Sequence, residues 1–585
     1  MSIRILLRYL ARYRGRYLAG FALLFVTTLC ALAIPWVIKL AIEALAAGRG
    51  ADAVAGARIA VGLGALVIVG LAVAQGVVRS ASRLALLGAS QRVEADIRDD
   101  LFRRLVRLPP AFYQGQRTGD LMSRATNDLQ GVVQLIGFGL LALVNTAMVL
   151  AGTLTAMLRI DAGLTAAALA PAPILIILAK SWNARVHAES LAVQQQLARL
   201  SVKVQENLSG MAVVRAYTME TREVQAFREL NDEHLVRTLR QARSQATFSP
   251  LMGAIGGVGT LIVLWLGGKA VVDGRISLGD FVAFSSYLAY LTWPILALGW
   301  VLALVRRGLT ALDRVVEILR APADPEAAAV EPVAIAGEIE LRGLTFGYGD
   351  RRVPALRQVS FRVPAGACVA VVGPTGAGKS TLGALLTRLW EPPRGTVFVD
   401  GRDVRDLPLA ALRRAIGYVP QETFLFSRSL AENVALGDPT AADGRLEWAG
   451  RVAALAGDVA RLPAGWATVV GERGLTLSGG QRQRVALARA LLADPRILIL
   501  DDAFASVDAA TEAAILGALR DALRGRTTLI ITHRLRAAQL ADRVVVLDEG
   551  RVVEQGTHAE LTARGGLYAR LWQRQQLEQT LEVDS

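Results

Sequence analysis

Apolar positions run almost unbroken through six stretches of the first 320 residues, at about 17–42, 57–79, 131–158, 162–181, 247–272 and 280–305. A helix needs roughly 20 such residues to cross about 30 Å of hydrocarbon, so each stretch predicts a membrane span. An even number of spans leaves both ends of this region on one side of the membrane. Arg4, Arg8, Arg12, Arg14 and Arg16 precede the first span and assign that side to the cytoplasm. The apolar run behind them is far longer than a signal-peptide core, which predicts an uncleaved first helix. Long, Arg-rich segments near 80–130 and 182–246 alternate with short ones near 48–56, 159–161 and 273–279, as six spans require. Within the long segments, as at 93–108, apolar residues recur every three or four positions among charges, so the helices are expected to continue beyond the bilayer. Pro109-Pro110 then breaks the pattern, and a short helix after it is placed to touch a cytoplasmic partner domain.

Beyond residue 320 the periodicity changes. Residues 321–337 carry three prolines and few large apolar side chains, which suits a linker. Short β-branched runs follow at 369–372, 496–500, 527–532 and 543–547, alternating with helical patterns, the signature of an α/β domain with a mostly parallel sheet. The expected organisation is a six-helix domain over 1–320, a linker over 321–337, an α/β domain over 338–575 and a tail over 576–585.

Composition agrees with a membrane component: 53% of the 585 residues are hydrophobic and the mean hydropathy is +0.39. The formal charge of +14 raises the question of nucleic acid, and its location answers it. Residues 1–320 hold 34 Lys and Arg against 20 Asp and Glu, whereas the remainder is balanced at 31 each. The whole excess sits in the apolar half, where basic residues hold loops at the cytoplasmic face, and no nucleic-acid partner is expected. The two cysteines, Cys30 and Cys368, are far apart and have no ligand-like spacing, so neither a disulfide framework nor a metal site is expected of them.

The chemistry lies in the second half. Gly373, Pro374, Thr375, Gly376, Ala377, Gly378, Lys379, Ser380 and Thr381 match G-x-x-x-x-G-K-[ST] after an apolar strand and before an amphipathic run. Glycines there let backbone N–H groups approach phosphates, the next helix presents its positive end, Lys379 reaches the β and γ phosphates, and the Ser380 hydroxyl is a Mg²⁺ ligand. The chain has five lysines against sixty arginines, so a lysine here reads as a point charge selected for its compactness. The run 497–502 is an apolar strand ending in Asp501 and Asp502, which sets Asp501 beside the phosphate loop to hold Mg²⁺ through water. At 477–484, LSGGQRQR gives a helix capped by Ser478, with Gly479 and Gly480 leaving room for an anion and Gln481 in the first turn.

LSGGQRQR resembles the signature motif of the ABC ATPase family, and with it the other motifs come into line. The resemblance covers nearly the whole chain. It implies an α-helical six-span transmembrane domain plus an α/β P-loop nucleotide-binding domain, with ATP and Mg²⁺ as ligands. It implies that Tyr348 stacks on adenine and that Gln421 is the residue linking Mg²⁺ to the membrane domain. It further implies that Ser506, Val507 and Asp508 form the D-loop, and that His533 is the switch histidine at the γ-phosphate. Residues 112–129 and 206–223 resemble the two intracellular coupling segments of exporter-type half transporters. The expected protein is thus an ATP hydrolase coupled to transport, an integral multi-pass protein of a bacterial-type inner membrane with its ATPase domain in the cytoplasm.

One position departs from the family. Active members carry glutamate after the strand's first aspartate, where it polarises the attacking water, and this chain carries Asp502. A side chain shorter by roughly 1.5 Å is a poor base, since about 1 Å of misplacement at a reacting centre costs on the order of 100-fold. Because each ATP in this family is held between two subunits, the expected assembly is a heterodimer. Its degenerate site then lies on this chain, and the intact 478–481 segment serves a partner bearing glutamate. A homodimer that tolerates aspartate is the alternative. Val469 also replaces a residue that is often acidic in exporters. The expected cargo is a hydrophobic or amphipathic small molecule or a lipid, as in multidrug efflux, with Gln75, Gln134, Asn145, Ser285, Ser286 and Tyr287 as polar lining candidates and Trp265, Trp293 and Trp300 nearby. An exporter-fold importer of siderophores and a dedicated lipid or peptide exporter share every motif. A non-transporting ABC ATPase lacks the spans.

Overall fold

The computed structural model describes residues 2–47, 51–323, 333–349, 353–474 and 476–583. Two compact units divide the chain, Met1–Val106 with Arg117–Pro322, and Arg107–Gln116 with Ala323–Ser585. Most of the expected linker, 324–332, lies outside the described residues.

The first unit is helical throughout. Every expected span falls in a helix: Arg14–Ala47, Ala51–Leu105, the continuous Thr118–Ile160 run with two π-helical turns, Ala162–Leu169 followed by Ala172–Ser209, Glu220–Ile262 with its extension to Val272, and Leu278–Arg320. Among the described residues, Arg14–Ala46, Arg58–Leu105 and Thr118–Ile160 are long and apolar enough to cross a membrane, and Ala162–Ile174 and Gly257–Val272 are shorter apolar stretches. The turn expected at 159–161 is made by Asp161, whose side chain caps the next helix by accepting from Leu164 N at 2.8 Å.

Polar contacts pin the helices where apolar packing alone would let them slide. At one end of Leu278–Arg320, a capping box joins Ser277 and Asp280, the Ser277 hydroxyl donates to Glu43 at 2.6 Å, and Lys39 pairs with Asp280 at 2.7 Å. At the other end, Arg124 bridges Asp120 and Glu317 at 2.8 and 2.7 Å, while Arg314 holds Asp120 and sits 2.9 Å from Asp128. Asp120, Arg124 and Asp128 belong to the first coupling-like segment, so this network fastens that segment to the last long helix of the same unit. The helices Ala172–Ser209 and Glu220–Ile262 are joined along their length by Trp182 Nε1 to Ser244 O at 2.9 Å, Gln196 to Leu230 O at 3.0 Å and Lys203 to Glu223 at 2.5 Å.

The second unit carries two sheets. β1 (Ile339–Phe346), β2 (Leu356–Val363), β4 (Val397–Val399) and β5 (Arg402–Asp403) form an antiparallel sheet in the order β2-β1-β4-β5. β3 (Cys368–Val372), β6 (Ile416–Val419), β7 (Ile497–Asp501), β8 (Thr527–Ile531), β9 (Arg543–Asp548) and β10 (Arg551–Gly556) form the larger sheet, ordered β10-β9-β3-β8-β7-β6. Its β9-β3-β8-β7-β6 portion is parallel and β10 runs antiparallel at the edge. Every residue of β7 and β8 is buried, as parallel strands covered on both faces require. Two cores flank the larger sheet: Leu487, Leu491, Leu498 and Phe504 belong to one, Leu382, Leu385, Ile499 and Ile531 to the other.

Cys368 opens β3 in this core. Burial, with a smaller contribution from Asp542, pushes its thiol up to about 12. Only the thiolate is nucleophilic, so maleimide at pH 8 is expected to modify Cys368 about a thousandfold more slowly than an exposed cysteine of ordinary pKa, a difference read by peptide mapping of the labelled native protein.

Candidate nucleotide site

The C-terminal ends of β3, β7 and β8 lie side by side, and the candidate residues emerge there. The loop after β3 turns on Gly373, at φ +154°, and Gly378, at φ +88°. A Cβ at Gly373 would sit 2.0 Å from Leu547 O and one at Gly378 2.3 Å from Ala355 O, so both positions require glycine. The helix Lys379–Leu386 starts directly behind, pointing the N–H groups of its first turn into the loop. Lys379 is 9% exposed, and its Nζ donates to Gly373 O and Pro374 O at 2.8 Å each. Burial pushes this ammonium below its usual range, with the charges of Asp502 and Asp501 acting the other way.

Asp501 ends β7, 1% exposed. Its carboxylate accepts from Ser380 Oγ at 2.9 Å and from Tyr418 OH at 3.3 Å. Burial pushes the Asp501 carboxyl above the usual carboxylate range, against those two hydrogen bonds. A buried carboxylate beside a small hydroxyl at the mouth of a glycine loop is a donor set that suits a hard divalent cation.

Asp502 turns the other way. Its φ of +51° lies in the left-handed region, which aspartate tolerates better than most residues. Both carboxylate oxygens stand 2.8 Å from His533 Nδ1, and Oδ1 also accepts from His533 N at 3.3 Å. Burial raises this carboxyl, but the His533 contacts and the charge of Lys379 outweigh it, and Asp502 is held below the usual range. The stabilisation from a depressed carboxyl is present at neutral pH and is lost as pH falls through its folded value.

The remaining candidates are distributed around this cluster. Tyr348 donates to Thr381 Oγ1 at 3.0 Å and packs edge-on against Trp390, with ring centroids 4.9 Å apart. Ser478 and Gln481 form a reciprocal capping box at the head of Gly479–Leu492. A Cβ at Gly480 would lie 2.7 Å from Ser506 O, so the signature helix and the D-loop meet backbone to backbone. Asp508 caps the helix Ala509–Ala522 through Thr511 N at 2.9 Å. Gln421 is not gathered in: it is exposed, and among the described residues no hydrogen bond ties it to Ser380 or Asp501.

Three side chains that sequence reasoning passed over complete the arrangement. Tyr418 reaches Asp501 from β6. Arg534 ties the loop after β8 to the D-loop, donating to Val507 O and Ala505 O at 2.8 and 2.9 Å and pairing with Glu512 at 2.7 Å. Gln575, on the C-terminal helix Leu567–Val583, accepts from Leu535 N at 2.7 Å and donates to His533 O at 3.1 Å. No local pattern marks Gln575, because its partners are backbone atoms some 40 residues away in sequence. Replacing Gln575 by alanine is expected to speed amide exchange at Leu535 by about three- to tenfold, the equivalent of one lost hydrogen bond, as read by hydrogen-exchange mass spectrometry.

A glycine cradle, a buried lysine and a helix start converging on one point bind a chain of phosphates, and here they share a polypeptide with a bundle of apolar helices. The class so defined is a membrane protein driven by nucleotide. Residues 17–295 match the ABC transporter transmembrane region and residues 356–505 the ABC transporter family of ATPase domains. The chain belongs to the ABC transporter family: an integral membrane protein with a cytoplasmic ATPase domain, in which ATP hydrolysis is coupled to transport. It is 38% identical to the probable multidrug resistance ABC transporter ATP-binding/permease protein YheI of Bacillus subtilis (strain 168) over 84% of each chain. It is 35% identical to the multidrug resistance-like ATP-binding protein MdlA of Escherichia coli (strain K12), over 98% of this chain and 96% of that one. The structure of a bacterial Atm1-family ABC exporter with ATP bound superposes with a TM-score of 0.78 at 28% identity, covering 96% of this chain and 99% of that one.

Proposed function

We propose that this chain is one half of a heterodimeric exporter that drives hydrophobic or amphipathic compounds, drugs or lipids, across the membrane, and that its own nucleotide site retains ATP while the partner's site hydrolyses it. The resemblance to multidrug-resistance relatives, and to an ATP-dependent lipid A-core flippase of Syntrophus aciditrophicus (strain SB) at 35% identity over 83% of this chain and 81% of that one, supports the export reading. The observation that carries the site assignment is Asp502. A base must be within hydrogen-bond reach of the water it activates. Asp502 is short, and both of its oxygens are engaged by His533 Nδ1 at 2.8 Å. A carboxyl held below its usual range is also a weaker base.

The rest of the site suits holding nucleotide. Lys379 would exchange the Gly373 and Pro374 carbonyls for phosphate oxygens, and the helix start behind it would cap their charge. Ser380 and Asp501 are the residues that would hold Mg²⁺, with Gln421 joining them after its loop moves; the ion would neutralise charge on the β and γ phosphates. Tyr348 lies at the rim for the base, and Ser478, Gly479, Gly480 and Gln481 are left to serve the partner's nucleotide. The reading is tested by comparing the ATPase activity of the purified chain alone with that of a complex formed with a second half transporter bearing glutamate at the equivalent position. Slow turnover alone and fast turnover in the complex are expected; fast turnover by the chain alone would end the heterodimer reading.

A further inference from the structure

A cavity of about 620 Å³ lies in the second unit, a volume within the range of small-molecule sites. It is lined from the helix Ala509–Ala522, from the short helix Leu535–Ala538 with the two residues after it, and from the C-terminal helix Leu567–Val583. Leu516, Leu540 and Trp572 supply its apolar surface. His558 braces Trp572 edge-on, with ring centroids 4.9 Å apart, so the indole is a fixed plate. Arg520, Arg536, Gln539 and Gln575 supply the polar surface.

Charge in this space is unbalanced. Among the described residues neither Arg520 nor Arg536 has a carboxylate partner, whereas Arg524 and Arg534 nearby pair with Asp521 and Glu512. Glu512 also lines the cavity, but Arg534 meets its charge at 2.7 Å. Two unmatched guanidiniums therefore remain beside an aromatic plate. Their planar forks match the two oxygens of a carboxylate, and the plate matches a flat apolar body.

Two of the lining residues also hold loops of the nucleotide site. Gln575 accepts from Leu535 N at 2.7 Å and donates to His533 O at 3.1 Å. Glu512 holds Arg534, which in turn donates to Ala505 O and Val507 O. A molecule that filled the cavity would bear on both.

We infer that this cavity is a regulatory site for an aromatic carboxylate, its charged group held by Arg520 and Arg536 and its ring lying against Leu516, Leu540 and Trp572. Occupancy stiffens the loop that carries His533 through Gln575. The site lies wholly within the second unit, so it does not depend on which compound the helical unit moves.

The test uses the full transporter in nanodiscs of uncharged lipid, with empty nanodiscs as the blank. Isothermal titrations are recorded for para-biphenylcarboxylate, for para-biphenylmethylammonium, a cation of matching shape, and for acetate. The biphenylcarboxylate is expected to bind at least about tenfold more tightly than either of the others, because ring and charge are both recognised. In the Arg520→Gln, Arg536→Gln double variant its affinity is expected to fall about tenfold or more, and the Arg520→Lys, Arg536→Lys variant is expected to keep part of it. Equal affinity for the two biphenyls, or carboxylate binding unchanged by the glutamine pair, overturns the site. Acetate binding as tightly as the biphenylcarboxylate overturns the aromatic ligand in favour of a bare anion. If the glutamine variant does not fold, the wild-type comparison decides alone. Hydrogen-exchange mass spectrometry reads the regulatory half: saturating biphenylcarboxylate is expected to slow amide exchange at Leu535 by about threefold or more, and Gln575→Ala is expected to abolish that protection. Binding that leaves exchange at Leu535 unchanged overturns the link to the His533 loop.

Discussion

Replacing Asp502 by glutamate is expected to raise the ATPase rate of the purified chain by about 100-fold, the factor associated with moving a reacting group by about 1 Å. The added methylene extends the carboxylate past the His533 Nδ1 that now holds both Asp502 oxygens. It also weakens the contact that depresses the Asp502 carboxyl, which strengthens the base. Against this stands the backbone: at φ +51° a longer side chain loses the local compensation that aspartate enjoys, a cost of about 1 kcal/mol. That cost falls on stability and leaves the barrier untouched, so a small drop in melting temperature should accompany the faster rate. Steady-state phosphate release with magnesium ATP measures the effect. An unchanged rate would mean that aspartate at this position already serves as the base, and the chain would then need no glutamate-bearing partner.

The second large effect is expected at Lys379. Substitution by alanine removes the one buried ammonium of the phosphate loop and leaves the Gly373 and Pro374 carbonyls facing the space a phosphate would enter. A hydrogen bond to a charged group contributes about 1.5 to 3 kcal/mol, so ATP affinity should fall by roughly 10- to 100-fold. Titration of the purified chain with a fluorescent ATP analogue reads this directly. Arginine in its place is not expected to restore binding, because its planar fork is too broad for a pocket in which Lys379 is 9% exposed.

The fold was legible wherever one physical rule dominates. Twenty apolar residues in a row have few alternatives to a membrane or core helix, and each of the six stretches is helical in the structure. The strand runs at 369–372 and 543–547 were equally clear, because strands covered on both faces admit no polar interruption. The phosphate loop was legible because its glycines answer a local steric demand, visible in the close approach of Leu547 O and Ala355 O. Contacts that reach across the sequence were not. Gln575 finds its partners through a helix packed against the loop after β8, and Tyr418 meets Asp501 from a strand more than 80 residues away. The polar lining of the helical unit was half legible for the same reason. Polarity marked Gln75 and Asn145, which line a cavity of the helical unit, but not Arg79 and Arg83, which line it with them. Conversely, Tyr287 looked like lining, but its hydroxyl is engaged with Leu32 O.

The pairing of Lys39 with Asp280, backed by the Ser277 hydroxyl on Glu43, also constrains how the bundle works as a machine. Prising the first and last long helices apart there would strand two opposite charges whose side chains are only 16% and 19% exposed. Separating such charges without new partners is costly, so any opening of the bundle at that end has to supply substitutes for both of them.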